Sequence, residues 1–115
     1  GAHNEGALRE LWATLDTQFA DRKLVLLVAA MAEKDISVLS EMAEKRGAQV
    51  IATQVQDPRA RSAQSLAALF PGSQAQPDLS AALELAQSKA KEQGALLVVA
   101  GSFYLAGEVL DRVDA

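Results

Sequence analysis

A single histidine stands third in the chain, in Gly1-Ala2-His3-Asn4, and the apolar repeat of a helix begins a few residues later. An imidazole there would sit beside a helix N-terminus, where unpaired backbone N–H groups and the dipole favour an anion. Three more polar segments follow apolar runs. Lys34-Asp35 comes after the first run, and a lysine at the end of a buried strand can pair with a substrate carboxylate. Asp57-Pro58-Arg59-Ala60-Arg61 comes after the second and offers a guanidinium to phosphate or carboxylate. Gly101-Ser102-Phe103-Tyr104-Leu105 comes after the last, with a hydroxyl and neighbouring N–H groups suited to a carboxylate. Each segment also has a purely structural reading. Asn4 and Ser102 are good helix caps, Lys34 can be a surface lysine beside a capping Asp35, and residues 57–61 can be a solvated turn.

The elements that must position these groups are legible from periodicity. Leu8, Leu11, Trp12, Leu15 and Phe19 recur at the helical period, which predicts a helix over about residues 5–18 with the His3 turn just before it. Residues 23–29 and 95–100 are short, continuous apolar runs of branched side chains, the pattern of strands buried on both faces of a parallel sheet. Residues 49–53 form a third such run. Asp35 is placed to cap a helix carrying Ile36, Leu39, Met42 and Ala43, and Gly47 to end it. A short helix is expected over about 62–70, stopped by Pro71-Gly72, and a weak strand near 73–76. Pro77-Asp78 opens a helix with Leu79, Ala82, Leu83, Ala86 and Ala90 on one stripe, closed by Gly94, and a last helix is expected over about 103–111. Trp12 and Tyr104 read as core side chains.

Strands alternating with helices through short loops imply an α/β fold, a Rossmann-like three-layer sandwich with a mainly parallel sheet and helices on both faces. Ligands of such sheets gather at the carboxyl ends of the strands, where all four polar segments fall. The pattern opens on a helix, so the strand that should feed the His3 turn is expected to lie before residue 1.

Composition narrows the function classes. At 115 residues, half of them hydrophobic and 23% charged, the chain is one folded domain spanning 1–115. Its net charge of −4 disfavours nucleic acid or an anionic membrane as the main partner. No cysteine and one histidine leave neither a disulfide framework nor a zinc site, so no metal site is expected. No apolar stretch has the length of a membrane span and no signal segment opens the chain, which makes a cytoplasmic location the expectation. Gly1 and Gly6 have the spacing of a phosphate-loop pair, yet Ala7-Leu8 stand where Lys and Ser or Thr are needed. No Gly-x-Gly-x-x-Gly follows any strand.

In combination and order these segments resemble the C-terminal domain of bacterial folylpolyglutamate synthase/dihydrofolate synthase, of the Mur ligase superfamily. The residues that carry the resemblance are Gly1-Ala2-His3-Asn4, Lys34-Asp35, Pro58-Arg59-Ala60, and Gly101-Ser102-Phe103-Tyr104-Leu105-Ala106-Gly107-Glu108-Val109. It spans essentially the whole chain, and its two ends are its distinctive parts.

The resemblance implies a parent enzyme with an N-terminal P-loop ATPase domain, absent here, and an active site in the cleft between the domains. The implied reaction is ATP-dependent amide ligation, in which a carboxylate of dihydropteroate or a folate is phosphorylated and then attacked by the amine of L-glutamate. ATP and Mg2+ are the implied nucleotide and cofactor, bound mainly by the ATPase domain. Carried over by position, His3 lines the cleft as the candidate catalytic residue near both nucleotide and glutamate. Lys34 and Ser102 are glutamate-carboxylate candidates, and Asn4 and Arg59 nucleotide-side candidates.

Two departures from the family pattern stand out: the aspartate expected before Gly1 is not in this chain, and Glu5 replaces a proline. They suggest a domain beginning just inside its boundary and inactive alone. The alternative reading is a non-catalytic α/β ligand-binding or interaction module on the same scaffold.

Overall fold

A computed structural model describes the backbone of residues 2–101 and 108–110 and the side chains of residues 6 and 8–101. The elements are α1 (Ala2–Gln18), β1 (Leu24–Ala29), α2 (Ser37–Arg46), β2 (Gln49–Ala52), α3 (Ala63–Ala67), β3 (Gln74–Ala75), α4 (Leu79–Gln93), β4 (Leu96–Gly101) and β5 (Glu108–Leu110). They form one five-stranded sheet in the order β3-β2-β1-β4-β5. The first four strands are parallel, and β5 pairs with β4 antiparallel.

The strands sort their side chains by simple alternation. Leu24, Leu26, Val28, Val50, Ala52, Leu96, Val98 and Ala100 face one layer, where Trp12 and Leu15 of α1, Leu39 and Ala43 of α2, and Leu66 of α3 pack on them. Val25, Leu27, Ile51 and Leu97 face the other, covered by Ala82, Ala86 and Ala90 of α4. All six residues of β1 are buried because the strand is central in the sheet and sandwiched between helices. Fully burying a side chain such as Leu26 or Ile51 stabilises the fold by roughly 1.5–3 kcal/mol. From β1 the chain steps to β2 and β3 through α2 and α3 on one face. It then returns past β1 to β4 through α4 on the other. Reversing both the direction of travel and the face keeps the crossovers of one hand, as parallel connections require.

Helix ends follow local chemistry. Gly47 and Gly94 close α2 and α4 in the left-handed region, at φ 71° and 63°, where an L side chain is strained. Ser62 Oγ accepts from Ser65 N at the start of α3, and Asp78 Oδ2 accepts from Ala81 N at the start of α4. The C-terminal ends of α1 and α2 are tied by Arg46, which pairs with Asp16 at 2.8 Å and donates to the carbonyls of Phe19 and Arg22.

Four sequence expectations are corrected. The first helix begins at Ala2, so His3 and Asn4 belong to its opening turn, not to a turn ahead of it, and Asn4 is not its N-cap. Asp35 is not the N-cap of α2 either; that position is Ile36, and Asp35 Oδ1 accepts from Ser37 N across a short turn. Leu79 and Leu83 are exposed, because α4 lies close on the sheet through its alanines and turns these leucines outward. Residues 108–110 are strand where a helix was expected: they continue the sheet beside β4, a tertiary pairing that periodicity does not report. The rest of that expected helix, with Tyr104, lies outside the described residues.

Candidate functional site at the carboxyl edge of the sheet

The strand order reverses at β1, with β2 on one side and β4 on the other, and such a reversal opens a crevice at the carboxyl ends of the two strands. Here β1 and β4 end level, with Ala29 opposite Gly101. The loop after β1 carries Lys34, and Ser102 is the residue directly after β4. The ends of these adjacent strands, Ala29 and Gly101, thus lie side by side although about seventy residues separate them in the chain.

The loops after β1 and β2 are stitched into a single rim. Met31 and Ala60 form an antiparallel bridge. Ala32 N donates to Arg59 O and Arg61 N to Ala30 O, both at 2.8 Å. Inside the first loop Lys34 N donates to Met31 O at 3.1 Å. The Arg61 side chain reaches across from the second loop, with Nη2 donating to the carbonyls of Ala32 at 2.9 Å and Lys34 at 3.0 Å. Lys34 is half-buried, and its ammonium has no hydrogen bond or ion pair among the described residues. Its backbone is fixed while its charge remains available.

Arg59 is placed differently. Its side chain is 72% exposed and is held by Asp57, which takes Nε on Oδ1 and Nη2 on Oδ2, each at 3.2 Å, and also accepts from Arg59 N at 2.8 Å. Hydrogen bonds from the Arg59 side chain, followed by its backbone N–H, hold the Asp57 carboxyl below its usual range. The same ion pair raises Arg59, and Glu33 adds to it. The guanidinium keeps unused N–H donors directed away from this carboxylate, so it can still meet an anion at the rim. Asp35 is likewise lowered, first by the Ser37 backbone N–H and then by its hydroxyl.

Lys34 and Arg59 thus share one rim. The side chains of His3, Asn4 and Ser102 lie outside the described residues; the backbone of His3 and Asn4 is in the first turn of α1. Sequence reasoning singled out Arg59 within its segment and passed over Arg61. Extended-chain alternation would put Arg59 and Arg61 on one face, so no local pattern signalled that the Arg61 side chain turns to the carbonyls of Ala32 and Lys34. Sequence reasoning also passed over Thr53, a buried residue just past β2 whose hydroxyl has no partner among the described residues. Among the described residues no cluster of His, Cys, Asp or Glu could hold a metal ion, and no helix is long and apolar enough to cross a membrane.

Comparison with known proteins agrees with this architecture. No curated protein matches the sequence. Two solved chains do, both of Mycobacterium tuberculosis folylpolyglutamate synthase. One, complexed with ADP, is 22% identical with a TM-score of 0.70 over 84% of the present chain and 25% of its own. The other, from structures complexed with ADP and AMPPCP, is 25% identical with a TM-score of 0.66 over 77% of the present chain and 21% of its own. The present chain thus spans about a quarter of the length of the solved chains it resembles. The family profile described as Mur ligase, glutamate ligase domain, matches residues 1–103. By that match, over nearly the whole sequence, the chain belongs to the Mur ligase family and is its glutamate ligase domain.

Proposed function

We propose that this chain is the glutamate-side domain of an ATP-dependent ligase that joins L-glutamate to dihydropteroate or to a folate. The observation that carries the proposal is the level ending of β1 and β4 in a domain of this family, Ala29 opposite Gly101; in this reading the chain that leaves β1 toward Lys34 and the chain that leaves β4 toward Ser102 line one edge. Glutamate presents two carboxylates and an amine. In this reading Lys34 and Ser102 hold its carboxylates by charge and hydrogen bonding, and the amine is left facing the acyl phosphate. Amide formation makes the N–C bond, breaks the C–O bond to phosphate, and releases inorganic phosphate with loss of the amine proton.

His3 is proposed as the cleft residue beside nucleotide and incoming glutamate, with Asn4 next to it. The course of α1 supports this. Its last turns meet the amino end of the sheet, where Arg46 ties Asp16 and Phe19, and Leu15 and Trp12 lead back across the sheet face toward the other edge. The opening N–H groups of α1 add a field that favours an anion. Arg59 is proposed to meet the nucleotide's phosphates from the rim. The described residues offer neither a phosphate loop nor a ligand set for Mg2+. In this reading the ATP phosphates and the metal, which screens their charge and aids acyl phosphate formation, are held by an ATPase domain, and this domain positions the amino acid.

The test is glutamate-dependent ADP release by the intact ligase, with dihydropteroate and a reduced folate offered separately. His3→Ala and Ser102→Ala are each expected to lower turnover by about two orders of magnitude, the scale of a lost transition-state contact, with little change in Tm. Lys34→Ala is expected to raise the KM for glutamate. Wild-type turnover in His3→Ala and Ser102→Ala, with an unchanged KM for glutamate in Lys34→Ala, would remove the assignment.

A further inference from the structure

Resting on the reading of Lys34 as a donor to glutamate, we infer that Arg61 is a positioning residue for glutamate binding, acting through the Lys34 loop. Residues 30–34 form no regular element and leave the sheet with few bonds of their own. What holds them is the neighbouring loop. Arg61 supplies its own backbone N–H to Ala30 O and a single nitrogen, Nη2, to the carbonyls of both Ala32 and Lys34. The second of these bonds ends on the peptide carbonyl of Lys34, whose ammonium has no partner among the described residues.

The guanidinium is spent on the first loop alone. Among the described residues its Nε is buried with no acceptor, while Nη2 is set between two carbonyls. Arg59, two residues earlier, faces outward and touches Asp57 instead. Adjacent arginines of one segment thus divide the work: one presents charge at the rim, and the other fixes the loop that presents the lysine. Neither carbonyl has another donor to replace Arg61 among the bonds of this rim. Removing the guanidinium frees the Lys34 backbone, and the lysine must then be ordered by glutamate itself.

The experiment is a kinetic double-mutant cycle in the intact ligase with Arg61→Met, Lys34→Ala and the double variant, together with Arg61→Lys. Arg61→Met is expected to raise the KM for glutamate about tenfold, the worth of one charged hydrogen bond, while the KM for ATP and kcat change by less than about twofold. In the Lys34→Ala background the same substitution should add almost nothing, because its effect passes through the lysine. Arg61→Lys, which can still donate to both carbonyls, should recover most of the loss. A fall in Tm with an unchanged KM for glutamate would make Arg61 merely structural and overturn the inference. So would fully additive effects in the cycle. If Lys34→Ala itself leaves the KM for glutamate unchanged, the fault lies in the assignment of Lys34 and not in the coupling of the two loops.

Discussion

Individual residues at the carboxyl edge show how backbone bonding and charge divide between neighbours. Asp35 is a clean case, since its carboxylate accepts from Ser37 N at 2.9 Å and is fully exposed. Its pKa in the folded chain lies below the ordinary 3.8, the value expected on unfolding. A carboxyl lowered in this way contributes stability above its unfolded pKa and loses it as pH falls through the folded one. The stability difference between wild type and Asp35→Ala should therefore be constant above about pH 5 and shrink below pH 4. Urea unfolding across that range measures it, and a difference that persists unchanged at pH 2 would contradict the bond. Lys34 and Arg59 were readable as candidates because a cation after a buried strand is conspicuous. Arg61 was not, because its role depends on two carbonyls about thirty residues away that no local pattern records.

Elements were the most legible level. The apolar runs over 24–29, 49–52 and 96–101 are strands, and Gly47 and Gly94 end helices where chain chemistry placed them. At Gly47 an added Cβ would meet nothing within 4 Å, so substitution there tests backbone strain alone. Gly47→Ala should cost about 1 kcal/mol, or roughly 4 °C in Tm for a domain of this size, and Gly47→Asn distinctly less. Equal losses in thermal unfolding would point to a cause other than the left-handed φ. Where element reading failed, pairing explains the failure. Glu108–Leu110 carries too short a pattern to distinguish strand from helix, and its conformation comes from lying antiparallel to residues 97–99.

For the whole molecule, the two layers on the sheet are built from different materials. Side chains as large as Trp12, Leu15, Leu39 and Phe70 fill one, while α4 covers the other with Ala82, Ala86 and Ala90, each fully buried. Ala86→Leu should push α4 off Val25, Leu27 and Leu97 and cost about 2 kcal/mol in urea unfolding, whereas Leu79→Lys on the exposed side should change stability by less than about 0.5 kcal/mol. Equal effects would mean that the helix does not rest on its alanines.

The sequence by itself determined which segments up to Gly101 are strands and helices, that the fold is α/β with a mainly parallel sheet, and which short polar segments interrupt it, because these follow from periodicity and end chemistry within a few residues. Only the tertiary structure decided that β4 returns to pair with β1 on the side away from β2. Only it decided, too, that α4 meets the sheet through alanine, and that the loops bearing Lys34 and Arg61 are hydrogen-bonded into one rim. Those outcomes depend on contacts between distant segments, whose free energy exists only once the sheet has assembled.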